Sequence, residues 1–340
     1  MKIVVDALGG DSNCPEVNVE GALLALNDFS DIEIVLIGPE EEIKNEISKN
    51  KKILHDNAFL KKISIVNTNE YIRMDEQPSK ILRTKENSSI ALGIKFLKDN
   101  LADAFVSSGN SGAILAFAVT QIKKYADRPA IATVLPTIKN PCVLIDVGAN
   151  VDCKPRHLVE FAYMGYVYCK NILKIENPKV GILSIGTEET KGNNQTLEAY
   201  QLLKNTSLNF IGNIEGRDIP FGVADVVVTD GFVGNVVLKL GEGIAEVLLE
   251  LIRDSLKKHP LAWFSLPFVW NAIKDLRKKV DFSEYGGAPL LGLEKVCIIC
   301  HGRSNAKAIK NAIKVAKQMI EKDINFIISQ QINKGTNEKN

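Results

Sequence analysis

Along most of this chain, short apolar runs alternate with segments whose apolar residues recur at helical spacing. The runs predict strands at Ile3–Asp6, Glu33–Gly38, Ile63–Asn67, Ala104–Ser107, Val143–Asp146, Lys179–Ser184, Asn209–Gly212, Asp225–Thr229 and Lys295–Cys300. Helices are predicted at Pro15–Phe29, Asn87–Lys98, Gly112–Lys124, Pro155–Leu173, Thr190–Leu203, Val233–Lys258 and Asn305–Lys322. Such alternation implies βα units around a mostly parallel sheet with flanking helices, an α/β fold. Several strands are almost wholly apolar, as expected where helices cover both sheet faces.

The polar stretches refine this picture. Glu40–Lys62 is charge-rich and reads as a solvated helical face, and Ser329–Asn340 reads as a frayed polar tail. The pattern predicts one α/β unit over 1–328, with room for two lobes, and a protruding helical segment at about 254–280. If the unit divides, the best breaks lie at Ala126–Asn140 and Asp254–Tyr285. A chain of 340 residues is long enough for either arrangement.

Charge and cysteine usage exclude several classes. The formal net charge is +1, from 42 basic and 41 acidic side chains, so no whole-molecule field favours nucleic acid. The N-terminus carries no signal-peptide pattern and no apolar run spans a bilayer. The six cysteines lie mostly in or beside apolar runs, as in a reducing cytoplasm. Cys297-Ile298-Ile299-Cys300-His301 spells a haem-attachment motif. Residues three apart on a strand point to opposite faces, so the two sulfurs are expected to diverge into the core.

Candidate chemistry gathers where strands end in glycine and small polar residues. In open parallel sheets, ligands bind at those carboxyl ends. Gly9 and Gly10 follow the first strand and either bring backbone near a ligand or simply make a tight turn. Ser107-Ser108-Gly109-Asn110-Ser111-Gly112 opens a helix with more hydroxyls and amides than one N-cap needs, which suits a phosphate cradle. In Gly186–Asn193, Lys191 suits phosphate or a developing oxyanion, but with Glu188 and Glu189 at a helix start the segment by itself fits a solvated first turn slightly better. Asn235 and Lys239 are spaced i, i+4 and share a helix face. His301 fits a general acid or base, an anion donor, or a structural histidine at a strand end. Walker A, Gly-x-Gly-x-x-Gly, HExxH and nucleophile-elbow patterns are missing, which favours direct displacement over a covalent enzyme intermediate.

Taken together, these segments resemble the bacterial phosphate acyltransferase family of phospholipid synthesis from Lys2 to about Ala316. The resemblance rests on Val5–Asp11, Ser107–Ala113, Asp146–Cys153, Gly186–Asn193, Asn209–Asp218, Asp230–Lys239, Glu284–Gly292 and the His301 turn. The family usually has His-Ala-Pro after Gly-Gly-Asp. Here Ser12-Asn13-Cys14-Pro15 lacks the histidine and is one residue longer. Arg303 stands where a small polar residue is common.

The resemblance implies a fold similar to the phosphotransacetylase and isopropylmalate-dehydrogenase group, and a homodimer. It implies attack of inorganic phosphate on the thioester of acyl–acyl carrier protein, giving acyl phosphate, with no metal or nicotinamide cofactor. The expected catalytic set is Lys191, Asn235, Lys239 and His301. The expected phosphate-binding set is Gly9, Gly10, Ser107, Gly109, Asn110, Ser111 and Gly112. A dehydrogenase of related fold and a non-catalytic lipid-surface protein are the alternatives. The first lacks its metal and nicotinamide residues here, and the second leaves the phosphate loops idle.

One segment remains. Leu261–Ile273 holds both tryptophans, Trp263 and Trp270, with Leu261, Phe264 and Phe268, between Lys257-Lys258 and Lys274, Arg277, Lys278 and Lys279. An aromatic patch flanked by cations is expected to lie in lipid headgroups. It would place the protein peripherally on the inner membrane face, where the resemblance implies a membrane-embedded glycerol-3-phosphate acyltransferase as a partner. The alternative is a buried hairpin or dimer contact.

Overall fold

The computed structural model describes residues 1–11, 14–54, 57–258 and 282–337. The expected α/β architecture is present. Eleven strands form one sheet in the order β3-β2-β1-β4-β11-β10-β5-β6-β9-β7-β8 among the described residues. The first parallel block contains β1 (Lys2–Asp6), β2 (Glu33–Gly38), β3 (Ile63–Asn67), β4 (Ala104–Ser107) and β11 (Val296–Ile299). The second contains β6 (Cys142–Ile145), β7 (Val180–Leu183), β8 (Phe210–Ile214) and β9 (Val226–Val228).

Two strands that the sequence pattern did not predict join the blocks. They are β5 (Ala130–Leu135) and β10 (Ala288–Leu291), and every pairing at this seam is antiparallel. Prolines hide both. Pro129 and Pro136 bracket β5, and Pro289 lies inside β10, where a proline argues against a strand. The stretch Ala126–Asn140, a candidate break by its sequence, contains β5, one of the two strands that join the blocks.

Side chains alternate across the sheet and build two apolar layers. Ile3 and Val5 of β1 join the layer of Leu23, Phe161 and Tyr168, while Val4 joins that of Phe105, Ile114 and Phe117. Cys297 and Cys300 fall in opposite layers, both buried, and burial pushes both thiols up to about 12. Helix α1 (Glu16–Asp28) crosses α9 (Ala306–Glu321) at Gly21, where any Cβ would lie 2.5 Å from Ile309 Cβ.

The C-terminal tail corrects another expectation. Residues after Ser329 continue helix α10 (Ile324–Asn337), with Ile328 and Ile332 buried. The residues spaced i, i+4 on that helix supply the apolar stripe that its polar composition obscures.

Helix α8 (Gly231–Lys258) is the longest described helix, at 28 residues. Leu240, Ile244, Val247 and Leu251 repeat at intervals of four, three and four along it, and all are exposed. The aromatic segment with Leu261, Trp263, Phe264, Phe268 and Trp270 lies outside the described residues. Among the described residues, no helix is long and apolar enough to cross a membrane.

Candidate active site

Loops from both blocks line one cavity of about 760 Å³. The first block contributes Gly109, Ser111 and His301–Asn305, the second Val147 and Gly148, and the seam Ile131, Thr133 and Ala288. One face of α8 closes it with Asn235, Leu238, Lys239, Glu242, Ala245, Glu246 and Leu249. Those positions recur at three- and four-residue intervals, as one side of a helix must.

A buried aspartate fixes the loop geometry in each block. Asp6, at the end of β1, accepts N–H bonds from Leu8 (3.0 Å) and Gly9 (3.1 Å) and the Ser107 hydroxyl (2.7 Å). Asp146, after β6, accepts the N–H groups of Ile131, Gly148, Ala149 and Asn150 and the Asn150 amide. Burial holds both carboxyls above the ordinary carboxylate range, and hydrogen-bond donors offset only part of that rise. Each aspartate thereby replaces the water that turn N–H groups would otherwise need.

The first-block loops then lock together. A Cβ on Gly9 would stand 2.6 Å from Gly109 N, so glycine permits the β1 and β4 loops to touch. The Ser108 hydroxyl donates to Gly9 O at 2.8 Å, and Asp11 N donates to Gly302 O at 2.9 Å. Gly10 adopts φ +134°, a conformation that L side chains rarely adopt.

Several expected phosphate ligands therefore have structural partners. Ser107 Oγ donates to Asp6 and accepts from Gly109 N (3.0 Å). Asn110 caps α5 (Ser111–Gln121) by accepting from Ala113 N, while its amide donates to the carbonyls of Arg73, Met74 and Glu76. Gly112 packs on Pro78, which a Cβ would meet at 2.8 Å. Gly9 and Gly10 shape the loop without lining the cavity. Of this set, Gly109 and Ser111 do line it.

The expected catalytic residues divide similarly. Asn235, Lys239 and His301 come together at the cavity, and Lys191 does not line it. Lys191 is exposed in the turn between β7 and α7 (Asn194–Lys204), and its carbonyl accepts from Ser184 Oγ and Asn213 Nδ2. Asn235 stands beside Gly148, with its Cγ 3.8 Å from where a Cβ would be.

Lys239 and His301 form the notable pair. His301 Nδ1 accepts the Arg303 N–H at 3.1 Å, so the proton of a neutral ring sits on Nε2. Lys239 Nζ lies 3.3 Å from that same Nε2. Two donors cannot bond each other, but they can share one acceptor such as an anionic oxygen. Sequence reasoning missed Glu242, whose carboxylate accepts from Lys239 Nζ at 2.8 Å. Its spacing, three residues after Lys239 and seven after Asn235, already placed it on their helix face.

The profile of the family described as "Fatty acid synthesis protein" matches residues 1–326. A phosphate acyltransferase of Endomicrobium trichonymphae is 52% identical over 92% of this chain and 92% of that protein. One from Thermodesulfovibrio yellowstonii is 49% identical over 98% of this chain and 94% of its own length. A phosphotransacetylase from Streptococcus pyogenes has a similar fold, with a TM-score of 0.59 at 21% identity and 94% coverage of both chains.

Proposed function

From a chain that belongs to the phosphate acyltransferases of the fatty acid synthesis protein family, we propose a reaction at the Lys239–His301 pair. The enzyme transfers an acyl group to phosphate for phospholipid synthesis. The acyl donor in this reading is acyl–acyl carrier protein. Convergence of two donors on one oxygen position carries the site assignment.

A phosphate oxygen attacks the thioester carbonyl carbon, forming a C–O bond and a tetrahedral oxyanion. The C–S bond then breaks, and the carrier leaves as a thiolate that water or buffer protonates. Lys239 and His301 hold phosphate in line, which lowers the barrier chiefly by positioning. Ser111 and the Gly109 backbone at the start of α5 face the same cavity and favour negative charge there. Thiolates leave readily near neutral pH, so the mechanism requires no strong general acid. Incubating the protein with acyl–acyl carrier protein and inorganic phosphate should release carrier thiol in step with acyl phosphate. Thiol release that is independent of phosphate would refute the reading.

The reading includes a homodimer. The exposed four-three-four stripe of α8 fits pairing with an identical helix. Ile185 (79% exposed), Val151 (61%) and Phe232 (61%), in the segments after β7, β6 and β9, offer further exposed apolar side chains for such a contact. Lys191 lies in that neighbourhood, so it can serve the reaction if a second copy presents it to the partner's cavity. The aromatic segment is proposed to dock on anionic lipid, handing acyl phosphate to the membrane-embedded glycerol-3-phosphate acyltransferase. Replacing Trp263, Phe264, Phe268 and Trp270 with serine should abolish pelleting with anionic vesicles, and persistent pelleting would exclude it.

A further inference from the structure

Glu242 contacts Lys239 and stands near His301 in a way that ordinary helix pairing does not explain. Its Oε2 lies 2.8 Å from Lys239 Nζ and 4.0 Å from His301 Nε2. Exposed pairs three residues apart are usually marginal surface contacts. Here the carboxylate lines the cavity, its side chain is only 25% exposed, and one oxygen stands beside both groups. A phosphate oxygen bound by Lys239 and His301 needs that same place.

We propose that Glu242 is an internal anion that holds the phosphate position between turnovers, so that phosphate binds by displacing its carboxylate from Lys239. This rests on reading the Lys239–His301 pair as the phosphate site. Once displaced, Glu242 remains close to a bound anion, because its backbone is fixed one turn along α8 from Lys239. Like charges at that separation repel, and partial burial limits the screening. The repulsion weakens phosphate binding and speeds departure of acyl phosphate, which carries its charge at the same end. Glu242 thus acts as a positioning residue that exchanges with the substrate.

The geometry predicts an unusual split between binding and turnover. In Glu242→Gln, inorganic phosphate should bind the full-length protein about tenfold more tightly by titration calorimetry. KM for phosphate should fall with it, and kcat should fall because product is retained. A merely structural contribution would lower kcat without tightening phosphate. Glu242→Ala removes the carboxylate with a different side chain and must agree in sign, which guards against a folding defect in either variant. If both variants bind phosphate no more tightly than the parent, Glu242 orients Lys239 and does not compete, and the proposal fails. Lys239→Ala in the same titration tests the premise separately. Should it bind phosphate as well as the parent does, the site assignment fails instead.

Discussion

Two sets of strand-end loops look alike in sequence and differ in what they leave available. Gly109, Ser111 and His301–Ser304 of the first block face the α8 residues Asn235 and Lys239 across a shared cavity. Gly186–Asn193 and Glu215–Asp218, after β7 and β8, carry a comparable mix of glycine, acids and cations. In the latter the polar groups engage one another or the following helix α7. Glu189 accepts from Gln201 at 2.7 Å and pairs with Lys204, Glu215 pairs with Arg217, and Asp218 accepts the Glu215 N–H. Glycine and polar residues at a strand end thus mark a tight loop. In the proposed site, by contrast, Lys239 Nζ and His301 Nε2 lie 3.3 Å apart, close enough to donate to one shared acceptor.

The comparison is broken most directly at Lys239. Lys239→Ala should lower turnover by ~100-fold or more, as expected when a group that holds the attacking phosphate in line is lost. Steady-state rates at saturating phosphate are the check, and near-parental turnover would place the chemistry elsewhere.

A mixing experiment sharpens the other half. If a second copy brings Lys191 to the partner's cavity, Lys191→Ala chains and Lys239→Ala chains should complement each other. Half of randomly re-formed dimers would be mixed, each with one intact site, so activity should recover to about a quarter of the parent. Recovery no greater than that of either variant alone would confine Lys191 to its own chain or exclude it from the reaction.

The smallest expected effect on catalysis comes from Asn110. Its side chain caps α5 and secures three carbonyls of the Arg73–Glu76 segment. Asn110→Ala should cost about 1–3 kcal/mol in stability by denaturant titration, while phosphate affinity changes little. A large loss of phosphate affinity with unchanged stability would return Asn110 to the ligand set.

Much of the parallel sheet was legible because strands buried on both faces read as unbroken apolar runs. The bounds of β2, β3 and β4 agree with the pattern residue for residue. The seam strands β5 and β10 were not, since prolines interrupt both apolar runs: Pro129 and Pro136 bracket β5, and Pro289 lies inside β10. The candidate site was legible in part for a related reason. Asn235 and Lys239 belong to one helix, and spacing alone placed them together. His301 is 62 residues from Lys239, and it follows β11 of the first block, so the two meet only once the blocks are joined.

By itself the sequence determined the fold class, the helix face that carries Asn235, Lys239 and Glu242, and the opposite layers into which Cys297 and Cys300 fall. Each of these follows from a repeat of two or of about 3.6 residues, which is local and survives without partners. Tertiary structure decided which polar groups are already engaged. Ser107 and Asn110 have the composition of ligands, but Asp6 and the Arg73–Glu76 carbonyls hold them. Hydrogen-bond capacity is consumed by whichever group lies nearest in space, and that neighbour is set by folding rather than by order along the chain.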